Sequence, residues 1–474
     1  MAIERELKFR LAPRAASRAA ARLALGHGKA LRAVYYDTSD GALRQARMAL
    51  RVRRESGTWR QTLKCEISPA ARGEWQASAP RGRLDVARLP RTEIRKATGV
   101  DIGALASRLR PRFETRFTRR AAEIHFDGAI VEAALDRGAI IGQGRREAIL
   151  ELELELKHGA PSRLARYAKS LLEPLGLALA VESKAERGYR LAQGAGPAAP
   201  RKWQRPRLGP QALPGEALAR LVAAAVAQAG ANAHGVLASS NAEYLHQLRV
   251  ALRRLRGTLA AFKELRPRAK PLKRRLQRFS PALGAARDWD VFVTSLANAT
   301  SLMRRARARR LRARREALRV LKSTAFHGFL VRALQWIEQA PWQAARAPLA
   351  PFAARALERL HRKTLKLARR IDWHDAGERH ALRIRVKRLR YACDSFAGCF
   401  AASALEPYLA ALERLQDDFG ELNDIAVGRR LLAELGDEPY VERELARRER
   451  QLIARLPSDW QAFAGRALFW RAES

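Results

Sequence analysis

The chain is 474 residues long and carries 91 Lys and Arg against 48 Asp and Glu, a formal net charge of +43. Its length excludes a single ordinary domain, and its 47% hydrophobic content excludes a disordered polycation, because real cores can be buried. The charge implies a polyanionic partner, a role that nucleic acid, anionic lipid or polyphosphate fills equally well.

The first half reads as strands. Apolar and polar residues alternate with period two at Ile3–Phe9, Ala49–Arg53, Trp59–Lys64, His125–Leu135 and Ile149–Lys157. Turn signals such as Asp127-Gly128 separate them, and Pro13–Leu25 and Pro161–Leu175 have helical spacing. So many antiparallel strands within residues 1–193 predict a barrel. A seam rich in Pro, Gly and Arg predicts a linker over 194–214.

From 215 to 474 the spacing is helical throughout, with Pro267, Pro271, Pro341, Pro348 and Pro351 as punctuation, which predicts a bundle. This half repeats itself. His246–Arg256 (HQLRVALRRLR) matches His380–Arg390 (HALRIRVKRLR) 134 residues later, and Leu283–Asp290 echoes Phe419–Ala426 at 136. Two matches in order predict two related helical halves.

Cys65, Cys393 and Cys399 are odd in number and show no metal-ligand spacing, which suits a reducing compartment. The opening MAIERELKFR is charged where a signal peptide is apolar, and no uninterrupted apolar run of about 18 residues is evident. A cytoplasmic protein with no membrane partner is expected.

Alternation puts Glu151, Glu153 and Glu155 on one face of a strand and Leu150, Leu152, Leu154 and Leu156 on the other. Glutamates on a half-buried strand ordinarily face water. The same face logic joins Glu4, Glu6 and Lys8, and joins Arg51 with Arg53, while Lys64, Lys184 and Arg187 add further bases. If these faces line a barrel interior, acids and bases share one cavity. Such a cavity suits a short polyphosphate with a hard divalent cation, carboxylates taking the cation and bases the phosphate.

Those segments, together with Tyr35-Tyr36-Asp37-Thr38, Gln61–Lys64, Ala134–Gly138 and Ser183–Tyr189, resemble a CYTH domain over residues 1–193. The resemblance is to the triphosphate tunnel metalloenzymes. It implies an eight-stranded antiparallel tunnel and hydrolysis of inorganic triphosphate with Mg²⁺ or Mn²⁺, water attacking the terminal phosphorus. It also implies that Lys8, Arg51, Arg53, Lys64, Arg119, Lys184 and Arg187 bind phosphate. Glu4, Glu6, Glu151, Glu153, Glu155 and Asp136 are implied to hold metal, with Glu132 in support, and Glu4, Glu6, Lys8 and Glu153 form the catalytic set. Arg116 lies on the same strand as Arg119 with the opposite facing.

At about 100° per residue, His246, Arg249, Arg253 and Arg256 share one helix face, as do His380, Arg383, Lys387 and Arg390. One such face is ordinarily just solvated; twin copies led by histidine point to binding. The pair resembles a CHAD domain over 215–474, with Lys387 standing for Arg253 and Asn423 for Arg287. That resemblance implies two pseudo-symmetric helical halves that bind inorganic polyphosphate, and association with polyphosphate granules. The histidines could add a proton-dependent contact or a structural hydrogen bond. Asp288 and Asp424 could orient arginines or cap helices. Aromatic residues do not interleave with the basic rows, so nucleic acid is not the expected partner.

The expected fold is therefore α+β: an eight-stranded antiparallel β tunnel with flanking helices, then an all-α bundle of two pseudo-symmetric halves. The rival functions are polyphosphate binding without catalysis, and nucleoside triphosphatase or adenylate cyclase activity.

Overall fold

The computed structural model describes residues 2–471 except 56, 69–70, 195–197, 266–268, 297–299, 339–346 and 437. Pro267, Pro341 and part of the expected linker lie outside the described residues. The chain forms two compact units, residues 1–201 with 323–339, and residues 202–322 with 340–474.

The first unit is built on nine strands: β1 (Ala2–Arg10), β2 (Lys29–Asp37), β3 (Met48–Glu55), β4 (Thr58–Ser68), β5 (Ala71–Ser78), β6 (Arg110–Phe126), β7 (Ala129–Gly142), β8 (Arg145–His158) and β9 (Ala178–Ala180). They are ordered β5-β4-β3-β2-β6-β7-β8-β1-β9. Every described pairing is antiparallel. The sheet curls until Ala2–Arg5 of β1 meet Ala71–Glu74 of β5, while Lys8–Arg10 pair with β9 instead. The expected eight strands are thus joined in a ring along a short seam only, and a ninth strand takes the rest of that edge. The predicted strand His125–Leu135 is a hairpin. Asp127 and Gly128 both have positive φ, 51° and 69°, which is the backbone a two-residue turn between right-twisted strands requires.

Among the described residues before 201, the helices between these strands are α1 (Pro13–Arg22), α2 (Ala42–Gln45), α3 (Arg91–Thr98), α4 (Ile102–Leu105), α5 (Pro161–Leu175) and, after β9, α6 (Lys184–Leu191). Outward-facing apolar residues are buried beneath them. Leu152 and Leu154 lie on the side of β8 that meets α5, and Leu50, Leu63 and Trp75 pack with Ile94 of α3 and Ile102 of α4. With the leucines of β8 so covered, its glutamates face the bore.

α6 enters that bore. A capping box between Ser183 and Glu186 starts the helix. Its Tyr189 and Leu191 then pack among inward-facing Leu31, Tyr35, Phe113, Phe117, Ile140 and Ile149. Gly188 lies so close to Phe113 that an added Cβ would stand 2.0 Å from its ring. The bore is therefore filled at this level.

The second unit contains α7 (Pro214–Ala238), α8 (Ala242–Ala261), α9 (Lys270–Ser295), α10 (Thr300–Lys322), α12 (Leu349–Ala368), α13 (Ala376–Phe396), α14 (Ala402–Ala433) and α15 (Pro439–Ala464). The intervening α11 (Thr324–Glu338) belongs to the first unit. It packs on α5 and β9, with the Leu179 amide donating to His327 Nδ1 at 3.3 Å and Gln335 Nε2 to the Ser162 carbonyl at 3.2 Å. The stretch expected to form one bundle thus gives a helix to the sheet unit. Pro271 opens α9 and Pro348 caps α12, as their places in the sequence predict.

α7 packs on α8, α8 on α9 and α9 on α10; α12 on α13, α13 on α14 and α14 on α15 repeat the pattern. The two halves meet where α8 touches α13 and α9 touches α14. α7 is long and apolar enough to cross a membrane, with a mean hydropathy of 1.3 over 18 residues. Its run is Ala-rich, so few large apolar residues advertise it, and 72% of that window is buried inside the protein.

Candidate functional site

Strand pairing arranges the inward side chains in rungs across the bore. Glu6 of β1 stands opposite Glu155 of β8, Glu155 opposite Glu132 of β7, and Glu132 opposite Glu123 of β6. The next rung is Lys8, Glu153, Ala134 and Ala121, and the one beyond is Arg10, Glu151, Asp136 and Arg119. Side-chain exposure falls from 24% at Glu155 to 11% at Glu153 and 1% at Glu151. The rung of four carboxylates is thus the more open one, and the two alanines leave room beside Lys8 and Glu153.

Like charges directly opposite on a sheet repel. Lys157 offsets part of this, 2.8 Å from Glu155 and 3.7 Å from Glu132. Burial still raises the Glu155 carboxyl above its ordinary value, and Glu4 and Glu132 push the same way against Lys157. Such oxygen donors have the chemistry of a site for a hard divalent cation. Among the described residues no three of them converge on one point as they stand. They lean on lysines instead: Lys8 Nζ is 3.0 Å from both Glu6 and Glu153, and Lys64 contacts Glu4 and lies 3.0 Å from Glu74.

Deeper in the bore the charges are locked together. Lys184 Nζ lies 2.8 Å from Asp136, 3.0 Å from Glu151 and 2.8 Å from Glu153. Arg119 holds both Asp136 oxygens at 2.7 Å, and Arg187 joins Glu151 to Glu147. Burial alone would lower the Lys184 ammonium, but the three carboxylates hold it well above the ordinary lysine value. Burial alone would raise Glu153, yet Lys184, Lys8 and Arg119 hold it well below. Glu151 and Asp136 thus stand in ion pairs with the bases around them.

Arg51 hydrogen-bonds with Tyr35, and its buried Nε has no acceptor among the described residues. Arg53 shares its face of β3. Arg116 sits on the other face of β6 from Arg119, paired with Glu114 and largely exposed. Sequence reasoning missed Glu74, Glu147, Arg10 and Glu182, the last lying 3.6 Å from Arg10 and 3.5 Å from Arg190 of α6. Arg10 continues the Glu4, Glu6, Lys8 alternation and was legible. The others are placed by strand pairing and by α6.

In the second unit both predicted rows point into one cluster. Arg253 of α8 hydrogen-bonds to Tyr391 of α13. Arg249 lies near Arg253, Arg287 and Arg383. The Nε atoms of Arg249, Arg253 and Arg383 are buried with no acceptor among the described residues. Burial and then neighbouring cations bring Arg249 down to about 10 and Lys387 down to about 7, against the pull of Asp288 and Asp424 respectively. Asp288 and Asp424 lie mid-helix on α9 and α14, which removes the capping reading; each lies beside an arginine of its row. Arg256 donates to Ser280 Oγ at 3.2 Å and Arg390 to Gln416 at 2.7 Å. His246 is half-buried beside Arg287, Arg253 and Arg249, whereas His380 is exposed.

The CYTH domain family matches residues 2–189 and the CHAD domain family residues 220–433. The inorganic triphosphatase of Haemophilus influenzae is 30% identical over 164 residues, 33% of this chain and 44% of that protein, so the match spans less than half of that relative's length. The CHAD domain from the plant Ricinus communis is similar at 28% identity and a TM-score of 0.49, over 56% of this chain and 97% of its own. PptA from Streptomyces chartreusis is similar at 19% identity and a TM-score of 0.39, over 53% and 98%.

Proposed function

Since this chain joins a CYTH domain to a CHAD domain, we propose that the first unit hydrolyses inorganic triphosphate with a divalent cation and that the second binds inorganic polyphosphate. The observation that carries the first half is the rung of carboxylates Glu6, Glu155 and Glu132 set one step from Lys8 and Glu153. Glu4, Glu6 and Glu155, with Glu153 behind them, would hold Mg²⁺ or Mn²⁺, which when bound neutralises phosphate charge and polarises the phosphorus toward water.

The protein's own groups do the rest. Lys8 and Lys64 would turn from their glutamates to phosphate oxygens, leaving Glu4, Glu6 and Glu153 as the groups that would hold the cation. This exchange keeps every buried charge compensated, which matters because an unpaired buried charge costs several kcal/mol. Arg51 offers its unsatisfied Nε, and Arg53 and Arg119 carry further phosphate charge. Asp136 and Glu151 hold Lys184 and Arg187 in place, so these buried bases add positive potential to the bore without themselves turning to substrate. The filled bore at α6 favours a short linear anion over a long one threading through.

Phosphate release from triphosphate, long polyphosphate and ATP, each with Mg²⁺ and with Mn²⁺, tests this. Triphosphate should be the best substrate, and Glu4→Ala with Glu6→Ala should abolish release. Triphosphate that binds without turnover would reduce this unit to a ligand holder. Preference for ATP would make it a nucleotide enzyme.

For the second unit, the supporting observation is a cluster of cations with too few acids. Polyphosphate supplies the missing anions without needing base-edge readout or stacking, and its affinity should fall steeply with salt. Competition of labelled polyphosphate with DNA and RNA at physiological salt tests it, and the proposal fails if nucleic acid displaces the label.

A further inference from the structure

The two repeats put different cations at one equivalent position, Arg253 on α8 and Lys387 on α13. These helices pack on each other, and the Arg253 hydrogen bond to Tyr391 brings both side chains into one cluster. Lys387 is faced on its own helix by Arg383 and Arg390, from α8 by Arg253 and from α14 by Asp424. Asp288 of α9 lies beside Arg249 and Arg383. α12 also packs on α13, and there Lys363 lies near Arg385. Around Lys387, then, one carboxylate stands against three guanidinium groups.

An arginine keeps its proton under such crowding, whereas a lysine can shed it. We infer that the helical unit takes up a proton at Lys387 as it binds polyphosphate, so that binding is tighter at lower pH. The inference rests on the polyphosphate reading of this unit and adds its regulation. In the free protein, burial and then Arg383 and Arg253 set the Lys387 ammonium at about 7. Phosphate oxygens add the anions the cluster lacks and raise that value in the complex. The free-state value is therefore the lower one. Affinity is greatest below about pH 7 and falls as pH rises past it, by up to about tenfold per unit, until the complex also titrates.

His246 is the other titratable group of the cluster. Burial and then Arg287 lower it from an ordinary 6.5, so its window opens on the acid side of that of Lys387.

The test is calorimetric titration of the full chain with linear inorganic polyphosphate from about pH 6 to about pH 9. EDTA prevents turnover, and two buffers of different ionisation heat count protons directly. Wild type should take up about half a proton at pH 7 and close to one about a unit higher, where free Lys387 is mostly deprotonated. Lys387→Arg should bind with little pH dependence and no uptake above pH 7, His246→Asn should keep the wild-type slope there, and Arg253→Lys should steepen it. Binding by wild type with no proton uptake, or an unchanged slope in Lys387→Arg, overturns the inference alone. Absence of binding at every pH overturns the polyphosphate reading and the inference with it.

Discussion

Glu6 and Glu155 stand directly opposite each other across β1 and β8, two carboxylates on one rung of a sheet whose chain carries a net charge of +43. A sheet gains nothing from such a pair. Only a cation held between carboxylates, or lysines standing in for it, makes the arrangement stable, and the structure shows the lysines.

Relief of that repulsion separates stability from activity. Glu155→Gln should leave the metal-free protein as stable as wild type or more stable by about 0.2–1 kcal/mol. The same change should sharply weaken phosphate release and raise the Mg²⁺ concentration needed for it. Thermal unfolding in EDTA, beside a metal titration of activity, checks both.

Lys184 is the centre of the buried ion network. Removing it as Lys184→Ala leaves Asp136 with Arg119 and Glu151 with Arg187 but takes a buried partner from each and from Glu153, which should cost about 1–3 kcal/mol. A shift of the first unit's unfolding midpoint by much less would show that water reaches this level.

The network also fixes a pH window. Glu153 lies well below its ordinary 4.5, so the stability it contributes is present above that value and is lost as pH falls toward the folded value. Lys184 lies well above 10.5, so its contribution is present below that value and is lost as pH rises beyond it. The first unit should be stable across the interval and weaken on both sides, as circular dichroism against pH would report.

Gly188 lets α6 seat against Phe113. Gly188→Ala should destabilise the first unit by about 1–3 kcal/mol through overpacking. Thermal unfolding measures it, and an unchanged midpoint would mean that α6 does not press on the Phe113 ring.

α11 makes the boundary of the first unit a physical question. A fragment of residues 1–201 leaves exposed the faces of α5 and β9 that α11 covers, so it should aggregate or bind a hydrophobic dye. The same fragment carrying 323–339 through a flexible linker should be soluble and monomeric in size-exclusion chromatography.

The glutamate strand β8, Glu151 to Glu155, is legible in part. Alternation placed three glutamates on one face and the leucines on the other, because side-chain direction has period two in any strand. Which face looks inward depends on what covers the leucines, and α5 lies too far along the chain for a local pattern to say. The same limit explains α11, whose helical spacing is plain but whose partners are a strand and a helix from the other end of the sequence.

By itself the amino-acid order determined the α+β class, the shared face of Glu4, Glu6 and Lys8, and the doubled basic rows, since each follows from spacing along one element. Tertiary structure alone decided that Glu6, Glu155 and Glu132 share a rung, that Glu151 and Asp136 are consumed by buried bases, and that both rows converge on one cluster. Those facts depend on register and helix packing between distant segments, where a charge acquires neighbours, and neighbours rather than residue type set what it can bind.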